Sequence, residues 1–313
     1  MPISSLEQQG APVATRRSQR TGTRKQRGNG FLLPALLFIA FMTVYPLAYN
    51  IWLAVHGTDI GNLLRGSSPF VGFDNFRTLA DDQAFRHALL ISLVFTAGAL
   101  FLQFTLGFAL ALFFSQPFPG NRTLRALLLL GWLLPIVVSA NVWRWLLDGS
   151  YGLFNAFLLA TGLIDRPAFW LTDQHAALTA VILANAWVGV PFNMVLLLAG
   201  LQGISPSLYE AAMIDGAGMW ERFRFITLPQ VRAVALTVLL LSFVYTFKVF
   251  DLIFVLTQGG PVDATTTLPV YTYQLTFTSF AFSKGAAAAT VLLLISLSLS
   301  GLYVWTIRRE EAS

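Results

Sequence analysis

Six apolar stretches constrain this chain more than any other feature. They run over residues 31–55, 87–115, 123–147, 176–201, 232–257 and 283–307. A helix needs about 20 residues to cross the hydrocarbon core of a bilayer, and each stretch reaches that length. Only 11% of the 313 residues are charged, less than half of what a soluble domain carries. Burying ionised groups in lipid is costly, and this deficit is what spanning helices require. The expected fold class is an all-α membrane protein with six transmembrane helices. Pro34, Pro46, Pro135 and Pro191 fall inside stretches, where kinks are tolerated in membranes.

The charges that remain are placed unevenly. Residues 1–30 form a basic arm with Arg16, Arg17, Arg20, Arg24, Lys25 and Arg27, expected to be disordered, and residues 31–313 form the membrane domain. The arm has no interleaved aromatics and leads straight into an apolar stretch, so it reads as a membrane-proximal tail and not a nucleic-acid arm. The stretch after it is too long for the apolar region of a cleaved signal peptide. If the N-terminus is cytoplasmic, the inner flanks hold those six basic residues plus Arg122, Arg125, Arg222, Arg224, Arg232, Arg308 and Arg309. The outer loops hold Arg65, Arg77, Arg86, Arg166 and Lys284. That asymmetry favours both termini inside. Outer loops of this length can carry small helices.

With no cysteine, disulfides, thiolate metal sites and cysteine nucleophiles are excluded. The three histidines, His56, His87 and His175, lie near outer ends of stretches without metal-ligand spacing, so no metal site and no catalytic residue is assigned. There is no GxxxxGK[ST] phosphate loop, and no internal repeat of the kind secondary transporters carry.

One connection breaks the pattern. Helix–helix links usually take 2–8 residues, yet 202–230 separate the fourth and fifth stretches. Ser205 suits an N-cap and Pro206 a first helical turn, giving a short helix to Ile214. Gly216 and Gly218 mark a turn, and 219–226 a second helix that Leu228-Pro229 ends. Trp220 and Phe223 are expected to pin the two helices together. Ala211, Ala212 and Ala217 offer a small-residue surface. This elbow is either an interfacial connector or a docking element for a cytoplasmic partner.

At this segment the sequence resembles the inner-membrane permease subunits of binding-protein-dependent ABC importers. Glu210-Ala211-Ala212, then Gly216 after three residues, then Ile226 and Leu228-Pro229 follow that family's EAA pattern, with Asp215-Gly216-Ala217 as in its carbohydrate branch. The segments FVGFDNFRTL (70–79), WVGVPFNMVLLLAGLQGI (187–204), FKVFDLIFVLTQGGP (247–261) and YTYQLTFTSFAFSKGAAAAT (271–290) are similar to other parts of that branch. The resemblance covers roughly 30–310. It implies a subunit in the inner membrane of a bacterium or archaeon, paired with a second permease. Two ABC ATPase subunits would bind ATP and Mg, and an extracytoplasmic binding protein would deliver the sugar. This chain itself would bind no cofactor and catalyse nothing.

The resemblance also implies roles. Glu210, Ala211, Ala212, Asp215, Gly216, Ala217, Ile226, Leu228 and Pro229 would couple to the ATPase, with Glu210 meeting a basic residue there. Gly216 is expected to need φ > 0, so that Gly216→Asp or Gly216→Pro abolishes transport without blocking insertion. Ser242 lies about 15 Å into the fifth stretch and shares a helical face with Tyr245, Thr246 and Val249 at i, i+3, i+4 and i+7. Relatives in the maltose branch place solute against this face and against the equivalents of Val188, Gly189 and Phe192, flanked here by Asn185 and Asn193. Val249 departs from a polar amide in that branch. The same hydroxyls and amides also suit helix–helix contacts. Lys248 and Asp251, at i and i+3, form either a local ion pair or a gate. A permease for glycerol 3-phosphate or a polyol is the alternative reading, with Lys248 and Arg144 as candidate cations. A secondary transporter fits less well.

Overall fold

The computed structural model describes residues 29–311, which are helical with no strand among them. The basic arm expected over 1–30 lies outside the described residues, except that Asn29 and Gly30 already begin the first helix. The chain divides into two compact units at Ala48/Tyr49. The described part of the first unit belongs to α1 (Asn29–Ala54), a helix with Pro34 and Pro46 inside it and exposed apolar side chains from Leu33 onward.

In the second unit the last turns of α1 lead to two short helices, α2 (Ile60–Leu64) and α3 (Asp74–Asp81). The long α4 (Gln83–Ser115) follows, N-capped by Asp82, whose carboxylate accepts from the Ala84 amide at 2.8 Å. Then come α5 (Asn121–Leu133), α6 (Ile136–Leu146), α7 (Leu153–Ala160) and α8 (Ala177–Gln202). The elbow contributes α9 (Pro206–Ile214) and α10 (Met219–Arg222), and α11 (Leu228–Phe247), α12 (Asp251–Leu256), α13 (Leu268–Tyr273) and α14 (Phe282–Glu311) complete the chain.

Buried residues fall into three clusters stacked along the helices. Where α3, α4, α11, α13 and α14 meet, Leu79, Phe85, Phe247, Leu268 and Ala286–Ala288 pack together. Toward the elbow, Phe114 meets Met194, Leu197, Leu201, Val231 and Val238. Between α4, α6, α8 and α12 sit Phe95, Ala140, Val181, Leu252 and Ile253. The α4–α8 pair is drawn close by missing side chains. A Cβ at Gly107 would lie 2.7 Å from the Asn193 Cβ, and one at Gly189 would lie 2.4 Å from the Gln103 Cδ. Small residues at such contacts let helix backbones approach within a membrane, where lipid supplies no competing hydrophobic force.

Three expectations change. The third stretch is not one helix, because α5 and α6 meet at 98°. Leu134 and Pro135 are both extended, with ψ near 139° and 136°. Pro135 lacks an N–H and pushes its predecessor out of the helical region, so the chain turns a corner there. The fifth stretch ends at Phe247 and not at 257. The apolar residues beyond it belong to α12, whose Leu252, Ile253 and Leu256 are buried in protein. Finally, Leu228-Pro229 does not end the second elbow helix. Residues Met219–Phe247 run on as one helix. It is widened at Phe223–Thr227, where the Leu228 amide bonds back five residues to the Phe223 carbonyl. A π turn of this kind lets a helix continue past a residue that cannot donate, here Pro229.

Candidate functional site: the elbow and the midspan polar network

The elbow projects from the ends of α8 and α11. The C-terminus of α9 closes in a Schellman arrangement. The Ala217 amide donates to the Ala212 carbonyl at 2.8 Å, and the Gly216 amide to the Met213 carbonyl at 3.1 Å. Gly216 sits at φ +82°, the left-handed region expected from the sequence. A Cβ there would meet nothing within 4 Å, so the need for glycine is purely conformational. Gly218 then leads into α10, with the Glu221 carboxylate accepting from its amide at 2.7 Å.

The two elbow helices are held by a polar contact. The Tyr209 and Thr227 hydroxyls hydrogen-bond at 2.9 Å, tying α9 to the π turn. Trp220 does not pin them. It is 69% exposed and stacks on Phe223 at 5.6 Å. Ser205 occupies the N-cap position, but its hydroxyl bonds Ser207 at 2.8 Å instead of a backbone amide. Of the candidate coupling residues, Glu210, Ala211, Asp215, Gly216, Leu228 and Pro229 are exposed. Ala212, Ala217 and Ile226 are half-buried. Glu210 has no cationic partner among the described residues. One turn on, Ile214 is 87% exposed, a large apolar side chain left in the open.

Halfway along the spans lies a buried polar network. The Gln103 amide of α4 donates to the Asn185 Oδ1 at 2.8 Å and lies 3.5 Å from the Thr246 hydroxyl. The Asn193 amide donates to the Gly189 carbonyl at 3.0 Å, and its Oδ1 accepts from the Ser242 hydroxyl at 3.1 Å. All five side chains are buried. A polar group inside a bilayer needs a partner, and here each supplies another's. In this arrangement Asn185, Asn193, Ser242 and Thr246 join α4, α8 and α11. Gln103, which sequence reasoning missed, links Asn185 and Thr246, while Asn193 and Ser242 pair separately. A lone amide midway along an apolar stretch was the available signal.

The predicted four-residue face of the fifth span does not persist. Val249 lies past the end of α11 and packs with the α6–α12 cluster. Tyr245 is 58% exposed and turned away from buried Ser242 and Thr246. It makes an edge contact with Phe192 at 5.9 Å, and Phe192 meets Trp132 at 5.7 Å. The Lys248 ammonium lies over the Tyr245 ring, 5.1 Å from its centroid. Lys248 and Asp251 form no ion pair, because the helix stops between them and i, i+3 proximity is lost. The aromatic strip Trp132–Phe192–Tyr245 therefore ends in a cation.

Beside the ends of α6 and α12, a 460 Å³ cleft is lined by Arg144, Asp148, Thr172 and Gln258. The Ser150 and Tyr151 amides hold the Asp148 carboxyl below the usual carboxylate range. Burial and the Asp82 carboxylate, accepting at 2.9 Å, push the Tyr271 phenol well above its ordinary value.

Residues 103–311 match the family model described as the inner membrane component of binding-protein-dependent transport systems. The chain is 34% identical over 273 residues to the trehalose/maltose transport system permease protein MalF of Thermococcus litoralis, covering 87% of this chain and 90% of the relative. It is 30% identical to the diacetylchitobiose uptake system permease protein DasB of Streptomyces coelicolor, over 90% of this chain and 86% of the relative. The sulfoquinovosyl glycerol transport system permease protein SmoG of Agrobacterium fabrum is 32% identical over 90% of both chains. A chain in the crystal structure of a bacterial ABC transporter for alginate import superposes with a TM-score of 0.76 at 24% identity, covering 90% of this chain and 94% of that one, which shows the same fold. The chain belongs to the family of inner-membrane components of binding-protein-dependent transport systems.

Proposed function

We propose that this chain is one of two permease subunits of an ABC importer for a sugar or glycoside. The observation that carries the reading is the elbow. A rigid, exposed helix presents Glu210 and Ile214 without partners of their own, between α8 and α11 of a permease fold. An apolar side chain held in water is what a docking surface has to offer. Two ATPase subunits bind ATP and Mg inside, and one of them receives α9. Its movement passes through the Tyr209–Thr227 bond into the continuous helix Met219–Phe247 and so into the membrane. A second permease completes the pathway, an extracytoplasmic protein delivers the solute, and both termini are cytoplasmic.

The named relatives carry trehalose or maltose, diacetylchitobiose and sulfoquinovosyl glycerol, which supports a carbohydrate solute. The strip Trp132–Phe192–Tyr245 suits the apolar faces of sugar rings, while Gly189, one turn before Phe192, is packed against Gln103. Asn185, Asn193, Ser242 and Thr246 are the nearest polar groups. In this conformation they satisfy one another, so their use by solute requires α8 and α11 to separate. Lys248 and Asp251, at the outer end of the strip, are the gate candidates.

The test is ATP hydrolysis by the purified complex in lipid with its binding protein, across monosaccharides, disaccharides, polyols and glycerol phosphates. Stimulation by one sugar is expected. Stimulation by a glycerol phosphate or polyol alone would overturn the sugar assignment. Activity indifferent to solute and binding protein would overturn coupled import.

A further inference from the structure

The elbow side of the bundle carries a cavity of about 1060 Å³ between the end of α4 and the helix that begins at Met219. Its walls are Leu112, Leu201, Met219, Trp220 and Phe223, and Arg222 stands among them. The Arg222 guanidinium has no acceptor among the described residues, and its Nε is buried and unpaired. Arg125 shares the buried, unpaired Nε, but its terminal nitrogen donates to Asn121 Oδ1 at 2.6 Å, and Arg222 has no such bond among the described residues. Arg222 is half-buried, and a guanidinium partly withdrawn from water without an acceptor favours an anion beside it.

A second groove of about 360 Å³ lies between α4 and α11, lined by Phe104, Phe108, Leu228, Val231 and Arg232. It neighbours the first, the Phe108 ring of one approaching the Phe223 ring of the other to 6.2 Å. From Leu112 to Phe104 the track rises about 12 Å along α4. Half of a hydrocarbon core is about 15 Å. The α4 lining from Leu112 to Phe104 is thus apolar over most of one leaflet's depth, and Arg222 stands at its elbow end beside an exposed tryptophan, the residue type favoured at headgroup level.

We propose that this groove is a binding site for one anionic phospholipid, its acyl chain between α4 and α11 and its phosphate on Arg222. Guanidinium forks match phosphate oxygens, and basic pockets between membrane helices select anionic headgroups. The site rests only on the chain spanning a bilayer and is independent of the solute pathway.

The test uses the intact transporter complex in nanodiscs carrying phosphatidylglycerol or phosphatidylcholine with the same photoreactive acyl chain. Labelled peptides should map to 104–112 and 228–236, with phosphatidylglycerol favoured by about fivefold, the scale of one basic residue's attraction to a net negative headgroup, since choline cancels the charge of the same phosphate in phosphatidylcholine. Arg222→Gln should bring the two lipids level while acyl labelling persists, and Arg222→Lys should keep most of the preference. Equal labelling by both lipids, or an unchanged preference in Arg222→Gln, would overturn the headgroup assignment. Exclusion of both lipids, with cysteine cross-links from this groove to the second permease, would make it a subunit interface instead.

Discussion

Replacing Gly216 isolates the backbone's contribution to coupling. Its φ of +82° lies in the left-handed region, where a Cβ costs about 1–2 kcal/mol. Nothing lies within 4 Å of the added atom, so in Gly216→Ala that conformational cost is the whole effect. A change of this size lowers the ratio of closed to frayed elbow about 5- to 30-fold. An elbow closed about 99% of the time would still be closed in most molecules, and transport should fall by less than half. Gly216→Asn should be milder, since asparagine tolerates this region. Gly216→Asp places a second carboxylate at the α9 C-terminus, adding roughly 0.3–1 kcal/mol against the helix dipole. Gly216→Pro is different in kind. Its φ is locked near −65°, and it deletes the donor to Met213 and breaks the closure that brings Ala217 to Ala212. The expected order of activity is Asn, Ala, Asp and then Pro, with Pro inactive. The geometry thus separates Asp from Pro, which residue types alone had put together. The assay is uptake and binding-protein-stimulated ATP hydrolysis in proteoliposomes, normalised to inserted protein. Wild-type transport by Gly216→Pro, or Asn no better than Pro, would refute the conformational argument.

Gln103→Leu should leave the Asn185 Oδ1 without its donor and lower stability by about 1–3 kcal/mol, read as a lower melting temperature in detergent; Ser242→Ala should cost less. Gly107→Val, forced against the Asn193 Cβ and the Met194 amide, should reduce the yield of folded protein far more than Gly98→Ala, which meets only a side chain. The raised pKa of Tyr271 means that the folded state favours the neutral phenol. Its contribution is complete below pH 10, the ordinary phenol value, and is lost as pH rises beyond it. Thermal melts from pH 8 to 11 should show that alkaline loss, and Tyr271→Phe should flatten it.

Much of the site was legible because it is local. Glu210 to Gly216 specify a short helix and its stop within a few residues, and glycine at a left-handed position reads directly from residue type. Elements that depend on distant partners were not legible. Apolar residues past Phe247 look the same to hydropathy whether lipid or protein covers them, so α12 passed as the end of a span. Ser242 and Thr246 carry the same hydroxyls whether they face a solute or an amide on a neighbouring helix. Only the approach of Asn193 to Ser242 and of Gln103 to Thr246 decides between them in this conformation.

By itself, then, the sequence determined a bundle of membrane helices, the elbow and the turn at Gly216. Hydropathy, charge placement and backbone preference act over a turn or a span, and can be read without knowing what lies opposite. Tertiary structure decided the corner at Pro135, the unbroken helix from Met219 to Phe247, the pairing of buried polar groups and the unpartnered Arg222. The polar pairs and the isolation of Arg222 depend on surfaces contributed by residues far apart in the chain, while Pro135 and Pro229 show that residue type alone does not say whether a proline turns the chain or is bridged by a π turn.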